Sequence, residues 1–249
     1  MSEYRLIETE QVSWYELPAL TEWGLTHRFL LKPLNFRPAT IEASLQTVLA
    51  TCLPKDYRIV MGKQVHLATI ATISTQPMEQ VTLIPDTDGT MTDQMQVALL
   101  TKYADCIPIL LFDPVKKVQA SIHSGWRGTL QGIGQQALQQ MIELYGCSPE
   151  TIQIGYGPAI GFEEFEVTEE VYQQFWAYAS DIPQAFRQKD ATHWVIDTKC
   201  INRVRFEQLG ILAQHQHDVA VSTVNDPRCQ SYRRDQAAYG LMAVVSYLS

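Results

Sequence analysis

One cysteine and two histidines have side chains of the types that form zinc sites in proteins. Cys106 lies where a loop enters an apolar stretch, and His123 lies seventeen residues later, where the next apolar stretch ends in a glycine-flanked turn. His66 follows the segment Gly62-Lys-Gln-Val. If the two apolar stretches are neighbouring strands, Cys106 and His123 approach each other, and strand ends hold such ligands rigidly. Three protein ligands leave one tetrahedral position open, which is typical of a catalytic zinc site.

The residue types alone leave other interpretations open. A free cysteine is commonly a buried core residue, and an isolated histidine is commonly a satisfied loop residue. A second hypothesis makes Cys106 the nucleophile and His123 the general base of a cysteine hydrolase. A third makes the zinc structural, with Cys229 or His215 as its fourth ligand. The pair His215-Gln-His217 suggests copper, but we interpret it as a surface loop before the predicted strand 217–224. Copper would need more partners, and the chain has only six histidines.

Four further residues are candidates for catalysis or substrate binding. Arg127 lies in a tight turn at a predicted helix start, where backbone N–H groups and the guanidinium fork favour phosphate. Asp105 is a candidate to orient a ligand histidine or to act as an acid or base, beside Cys106 and His123 as catalytic residues. Gln64 and Arg233 are candidates for substrate contacts, with loop shaping as the alternative for Gln64.

The elements that must position these residues form a mixed pattern without regular βαβ alternation. Helices are predicted from the turn before Gly128 to Gly146, from a cap at Thr168 to about Ala179, and from a cap at Asp197 to Gly210. Asp86-Thr-Asp-Gly89 is predicted to be a turn or loop. The pattern indicates an α/β fold with a mixed sheet and flanking helices. The predicted strands are residues 57–61, 68–73, 81–84, 95–101, 107–112, 117–123, 151–156, 217–224 and 240–247.

Length and composition favour one cytoplasmic domain over residues 1–249. The 19 Lys and Arg against 27 Asp and Glu give a net charge of −8, which argues against a nucleic-acid partner. No apolar stretch is long enough to cross a bilayer, and Glu3, Glu8 and Glu10 interrupt any signal-peptide pattern, so we expect no membrane partner. The five cysteines include no C-x-x-C pair, which indicates reduced thiols in the cytosol.

Five motifs follow one another along the chain: Lys63-Gln-Val-His66, Ala104-Asp-Cys-Ile-Pro108, His123-Ser-Gly-Trp-Arg-Gly128, Gly157-Pro-Ala-Ile-Gly161 with Glu166-Val167, and Ser231-Tyr-Arg-Arg-Asp235. In this order they make the chain resemble the laccase-domain family, also called the YfiH-like or peptidoglycan editing factor family. Together they spread over most of the chain, so the match is specific although each motif alone is weak. Tyr103 and Ser124 depart from the residues usual beside two of the motifs, but they leave every candidate metal ligand in place.

The resemblance implies a zinc ion held by His66, Cys106 and His123, in an α/β domain related to the catalytic fold of cytotoxic necrotizing factor. It implies phosphorolysis of adenosine, inosine and methylthioadenosine, together with deamination of adenosine. Some family members are instead assigned an editing role in cell-wall precursor synthesis. We therefore expect a monomeric enzyme whose partners are a nucleoside and phosphate. Copper and polyphenol oxidase (laccase) activity are the weaker alternative, because multicopper chemistry uses more histidines than this chain has.

Overall fold

Strands of four to seven residues dominate the computed structural model, which describes residues 3–249. The described part contains sixteen strands and seven α-helices, with short 3-10 turns between some of them. The strands are β1 (Arg5–Glu8), β2 (Ser13–Glu16), β3 (Leu25–Leu30), β4 (Arg58–Gly62), β5 (Ile70–Ile73), β6 (Val81–Ile84), β7 (Gly89–Thr92), β8 (Val97–Tyr103), β9 (Ile107–Asp113), β10 (Val118–Ser124), β11 (Gln153–Tyr156), β12 (Glu166–Thr168), β13 (Phe186–Gln188), β14 (His193–Ile196), β15 (Gln216–Asp218) and β16 (Met242–Leu248). The helices are α1 (Pro18–Trp23), α2 (Ile41–Thr51), α3 (Trp126–Leu130), α4 (Ile133–Tyr145), α5 (Glu169–Ala179), α6 (Thr198–Gln208) and α7 (Tyr232–Asp235).

The strands form three sheets. The first has the order β1-β2-β3-β16-β8-β4-β6, with β4 parallel to both of its neighbours. The second has the order β15-β11-β9-β10-β7-β5, with parallel pairs at its two edges. The third is a small antiparallel sheet of β12, β14 and β13. The structure thus confirms the α/β class with mixed sheets, but distributes the strands over three sheets.

The core lies in layers between and outside the two large sheets. Phe29 and Val244 of the first sheet pack against Leu110 and Phe112 of the second, so these sheets face each other. Helix α2 covers the outer face of the first sheet, and α4 covers the outer face of the second with one apolar stripe. Since β9 is buried on both faces, its seven residues are all buried, as its near-continuous apolar run predicts.

Most predicted elements are confirmed, with three corrections. The helix after the 123–128 turn is two helices, because Gly132 adopts a positive φ of 69° between α3 and α4. The predicted strand 217–224 ends at Asp218, where a tight Val221 N–H to Val219 carbonyl bond bends the chain. Asp197 caps α6 through the Cys200 N–H as predicted, whereas the hydroxyl of Thr168 makes no cap bond at α5.

The longest helix in the described part of the chain is α4, with 13 residues. None of the helices in residues 3–249 has the length and apolar character required to cross a bilayer.

Candidate active site

The antiparallel pairing of β9 and β10 brings Cys106 close to His123. His123 lies opposite Pro108 in this pair, so the end of β10 is beside the start of β9 and the Cys106 that precedes it. His66 arrives from the loop after β4, a strand of the other large sheet. The site therefore lies where one end of each large sheet meets the other, and the predicted proximity of Cys106 and His123 is confirmed.

The ligand atoms of His66, Cys106 and His123 all lie within 4.8 Å of one another. The two imidazole rings meet edge to face, with centroids 4.8 Å apart and an interplanar angle of 84°. His123 is buried, Cys106 is half-buried and His66 is exposed, so the cluster opens to solvent on the side of His66. Among residues 3–249 these three form the one group of three or more Cys, His, Asp or Glu side chains close enough to share a metal.

Asp88 fixes both histidines through a single buried carboxylate. Its Oδ1 lies 2.9 Å from Nδ1 of His123, which directs Nε2 of that ring toward the cluster. The same carboxylate accepts the backbone N–H groups of Val65, His66 and Leu67, each at 3.0 Å. These bonds hold the His66 backbone at a positive φ of 62°, which a histidine rarely adopts. Asp88 therefore orients both histidines, a role for which Asp105 is one candidate from the sequence.

The donor set and the space around it fit a zinc ion. A thiolate with two imidazoles is a common zinc ligand set, and three ligands leave an open position. Gly125 provides the space, since a Cβ there would lie 3.2 Å from the Cys106 sulfur and 3.3 Å from Cδ2 of His66. Because the backbone of Gly125 approaches the cluster so closely, any side chain at this position would crowd the ligands.

The cysteine and the buried histidine change each other's ionisation. Burial disfavours the Cys106 thiolate, but the charge of His123 and hydrogen bonds from both histidines outweigh it and lower the pKa of the thiol to about 6. Burial also disfavours the His123 imidazolium, but Cys106 and Asp88 outweigh it and raise the pKa of His123 to about 9. In metal-free protein at neutral pH, these shifts favour a thiolate–imidazolium pair.

A cleft of about 520 Å³ opens over the cluster. This volume is within the range of small-molecule sites. Its wall includes aromatic side chains that suit a planar ligand, and cationic side chains that suit an anion. Among them Tyr232 is 54% exposed and meets the ring of Tyr239 edge to face at 5.0 Å. The aromatic residues of the wall are Tyr103, Trp126, Phe165, Tyr232 and Tyr239, and the cationic residues are Lys102, Arg127 and Arg233.

The predicted phosphate residue Arg127 lies in this cleft. It is the second residue of α3, is exposed, and has its guanidinium carbon 4.1 Å from the centroid of the Trp126 ring. Gln64 also lines the cleft, but its amide is engaged by the backbone of Lys102. Its Nε2 donates to the Lys102 carbonyl at 2.7 Å, and its Oε1 accepts the Lys102 N–H at 3.0 Å. These two bonds favour the loop-shaping alternative for Gln64.

Asp105 and Arg233 line the cleft too, and both are engaged in holding loops together. The Asp105 carboxylate accepts bonds from the Thr223 hydroxyl at 2.5 Å and from the Arg233 N–H at 2.6 Å, and its φ is 76°. The Arg233 guanidinium donates to the carbonyl oxygens of Glu164 and Glu166. Both residues thus tie the Cys106 loop to the C-terminal part of the chain, and their chemical roles stay predictions.

The structure separates the alternative fourth ligands from the cluster. Neither Cys229 nor His215 belongs to the metal-binding group. Cys229 is buried in the core between the large sheets, and burial raises the pKa of its thiol to about 12. The interpretation of the H-x-H pair as a surface loop is wrong for His217, which lies in β15 with Nε2 3.1 Å from Oε1 of Gln153.

Sequence reasoning missed the contacts of Asp88 and did not place Lys102 in the cleft. Asp88 lies in the segment predicted as a turn, where Asp and Gly side by side are an ordinary turn signal. The signal that could have identified Lys102 is a lone cation near the end of the apolar strand β8, four residues before Cys106. In both cases the place of the side chain at the site depends on contacts between segments that are distant in sequence.

Comparison with known proteins gives matches over most of the chain. A sequence model of the family described as multi-copper polyphenol oxidoreductase laccase matches residues 35–249. Purine nucleoside phosphorylase SCO2081 of Streptomyces coelicolor is 29% identical over 208 residues, which are 84% of this chain and 83% of that protein. Purine nucleoside phosphorylase YlmD of Bacillus subtilis is 30% identical over 165 residues, or 66% of this chain. That match spans 59% of the YlmD chain, and matches to two mammalian relatives span less than a third of theirs.

The fold is also that of a solved structure. The hypothetical protein YfiH of Bacillus licheniformis superposes with a TM-score of 0.89 at 20% identity, covering 100% of both chains. This superposition confirms the predicted YfiH-like fold, and at 20% identity it concerns the fold alone.

Proposed function

The chain belongs to the family described as multi-copper polyphenol oxidoreductase laccase, and from this membership and its cleft we propose a zinc-dependent enzyme that acts on purine nucleosides. The observation that carries the proposal is the placement of His66, Cys106 and His123 in a cleft with aromatic and cationic walls. The relatives named purine nucleoside phosphorylase support the same substrate class.

In this proposal His66, Cys106 and His123 hold the zinc, whose chemistry when bound is that of a Lewis acid in the cleft. Asp88 keeps His123 in the tautomer that presents Nε2, and it holds the 65–67 backbone so that His66 faces Cys106. The protein thus fixes the ligand set before substrate arrives, which is the arrangement that a rigid active site requires.

The cleft supports phosphorolysis as the main reaction. In that reaction a phosphate oxygen bonds to C1′ of the ribose while the C1′–N9 bond breaks. The purine leaves with the bonding electrons and takes up the proton that hydrogen phosphate gives up. The cationic wall, with Arg127 as the predicted phosphate residue, binds and orients the anion, and the aromatic wall stacks on the purine. Adenosine, inosine and methylthioadenosine are the proposed substrates, and deamination of adenosine is a second proposed reaction of the same cleft.

The test is a product analysis by chromatography. Zinc-loaded protein is incubated with adenosine, with and without phosphate, beside the Cys106→Ala variant. The proposal predicts phosphate-dependent adenine release and phosphate-independent inosine formation, both lost in the variant. Absence of turnover in the wild-type protein under both conditions would refute the nucleoside assignment.

A second candidate function is that of a hydrolase with Cys106 as its nucleophile and His123 as its base. The ion pair that these two side chains can form favours it. The lowered pKa of the thiol and the raised pKa of the histidine are those of an activated nucleophile and its partner. Metal removal separates the two functions. A hydrolase retains its activity after chelation and loses it on alkylation, whereas the zinc enzyme loses activity on chelation.

A further inference from the structure

Two cations of the cleft have no counter-ion. Lys102 and Arg127 both line it, and within residues 3–249 neither the Lys102 ammonium nor the Arg127 guanidinium has a hydrogen-bond or ion-pair partner. The one electrostatic contact of the Arg127 guanidinium in residues 3–249 is the cation–π contact with the Trp126 ring. The third cation, Arg233, differs because its guanidinium is bound to two backbone carbonyls. The two free cations are therefore available to a ligand.

The local charge of the cleft is opposite to that of the chain. The whole protein carries a net charge of −8, yet the cleft wall has three cations and one carboxylate, Asp105. Both oxygens of that carboxylate already accept hydrogen bonds from Thr223 and Arg233. Some cations elsewhere in residues 3–249 do form ion pairs, as Lys199 does with Asp218 at 2.7 Å. An acidic protein that leaves two cations unpaired in one cleft offers an anion site there.

Lys102 is held in position rather than free to move away. It lies near the end of β8, and Gln64 fixes its N–H and carbonyl with two hydrogen bonds. The side chain is half-buried, and burial lowers the pKa of the ammonium because it loses hydration. An unpaired and partly desolvated cation destabilises the folded chain unless an anion accompanies it.

We propose that Lys102 and Arg127 together form an anion subsite that binds inorganic phosphate, the second substrate of the proposed phosphorolysis. This inference rests on the proposed function for the role of the anion. Lysine supplies a compact point charge and arginine a planar fork, and a tetrahedral phosphate has enough oxygens to accept from both.

The test is calorimetric titration of inorganic phosphate into the zinc-loaded full chain at constant ionic strength. Lys102→Met and Arg127→Met are each expected to weaken phosphate binding about 10-fold or more, because each removes one charge-assisted contact. Lys102→Arg is expected to retain most of the affinity. The exposed Lys55 has no place in the cleft, so the matched charge-removing control Lys55→Met is expected to stay within about twofold of wild type.

Thermal unfolding of the same variants distinguishes a phosphate-binding role of Lys102 from a purely structural one. Since the ammonium is unpaired and partly desolvated, Lys102→Met is expected to unfold at the same temperature as wild type or higher. A lower unfolding temperature together with unchanged phosphate affinity would mean that Lys102 only supports the fold, and would overturn the proposal.

Two other outcomes would also overturn it. One is phosphate binding by Lys102→Met equal to that of Lys55→Met. The other is binding of adenosine monophosphate but not of inorganic phosphate, which would assign the cations to a substrate's phosphate group. Because titration needs no turnover, phosphate binding through Lys102 without nucleoside cleavage would refute the proposed function while supporting the subsite. Phosphate-dependent nucleoside cleavage with an unchanged KM for phosphate in Lys102→Met would support the proposed function and refute the subsite.

Discussion

At the scale of single residues, the carboxylate of Asp88 explains how two histidines from different sheets converge on one cysteine. It contacts the ring of His123 and the backbone around His66, so one side chain sets both ligands. Such outer contacts fix the tautomer and orientation of metal-bound histidines and raise their basicity. Burial disfavours the Asp88 carboxylate, but hydrogen bonds from the His123 ring and from the Leu67 and Val65 N–H groups, together with the charge of His123, lower the pKa of Asp88.

Replacing Asp88 by Asn is therefore expected to weaken zinc binding by about 10–100-fold. The amide keeps the shape of the side chain but loses the charge, and it cannot accept all four bonds. Competition with a chromophoric chelator measures the affinity. Asp93→Asn is the matched control, because Asp93 is an exposed carboxylate a few residues along the chain. Equal zinc affinities of the two variants would contradict the role given to Asp88.

The ionisation of Cys106 predicts the pH dependence of its alkylation in metal-free protein. With the pKa of the thiol lowered to about 6, the reactive thiolate is present above that pH and is lost as the pH falls below it. The rate with iodoacetamide is thus expected to rise through about pH 6 and to level off by pH 7. In His123→Ala the midpoint is expected to move upward, because the neighbouring positive charge is gone.

Mass spectrometry of the modified peptide assigns the reaction to Cys106. Cys147 and Cys229 serve as internal controls, since burial raises the pKa of each thiol to about 12. A midpoint near the ordinary thiol pKa in the wild-type protein would show that no such ion pair forms.

At the scale of elements, the end of β4 and the loop that carries Asp88 approach so closely that only glycine fits. A Cβ on Gly62 would collide with the carbonyl oxygen of Thr87, the residue before Asp88. The N–H of Asp88 in turn donates a hydrogen bond to the Thr69 carbonyl, and the Asp88 carbonyl accepts one from the N–H of His123. The strand ends and the loop are therefore packed as one unit around the ligands.

Gly62→Ala is expected to destabilise the protein by about 1–3 kcal/mol, because backbone must move to admit the methyl group. Gly161→Ala is a suitable comparison, since the one close contact of a Cβ there would be the tip of the Glu164 side chain, with the Ser222 Cβ at an ordinary distance of 3.5 Å. Urea unfolding of both variants measures the free energies of unfolding. An effect of Gly62→Ala no larger than that of Gly161→Ala would be inconsistent with this packing.

The central strands could be predicted from the sequence because their burial leaves a strong pattern. Strands β8 and β9 are largely apolar runs, β10 alternates apolar and polar residues, and the candidate ligands Cys106 and His123 lie next to the start of β9 and near the end of β10. Other elements leave weak patterns. Strands β1 and β2 have four residues each and are half-buried, and β7 is buried although its sequence is Gly-Thr-Met-Thr. Windows of this length carry too little periodicity to identify a strand.

At the scale of the whole molecule, the site depends on how the two large sheets meet, and this limits what the sequence alone predicts. The three candidate ligands are recognisable by type and place, but Asp88 and Lys102 acquire their roles only when distant segments pack together. The same packing concentrates cations in one cleft of a chain whose net charge is −8. Overall composition thus argues only against broad partner classes, while the local arrangement of charges suggests the kind of ligand that the cleft would bind.

The most direct test of the account is a zinc titration of metal-free protein, with bound zinc and phosphate-dependent adenine release measured in the same samples. A single three-ligand site predicts that both quantities rise together and saturate at about one zinc per chain. It also predicts that Cys106→Ala neither retains that zinc nor releases adenine. Full adenine release by metal-free wild-type protein, or undiminished release by Cys106→Ala, would contradict the assignment of the reaction to this zinc site.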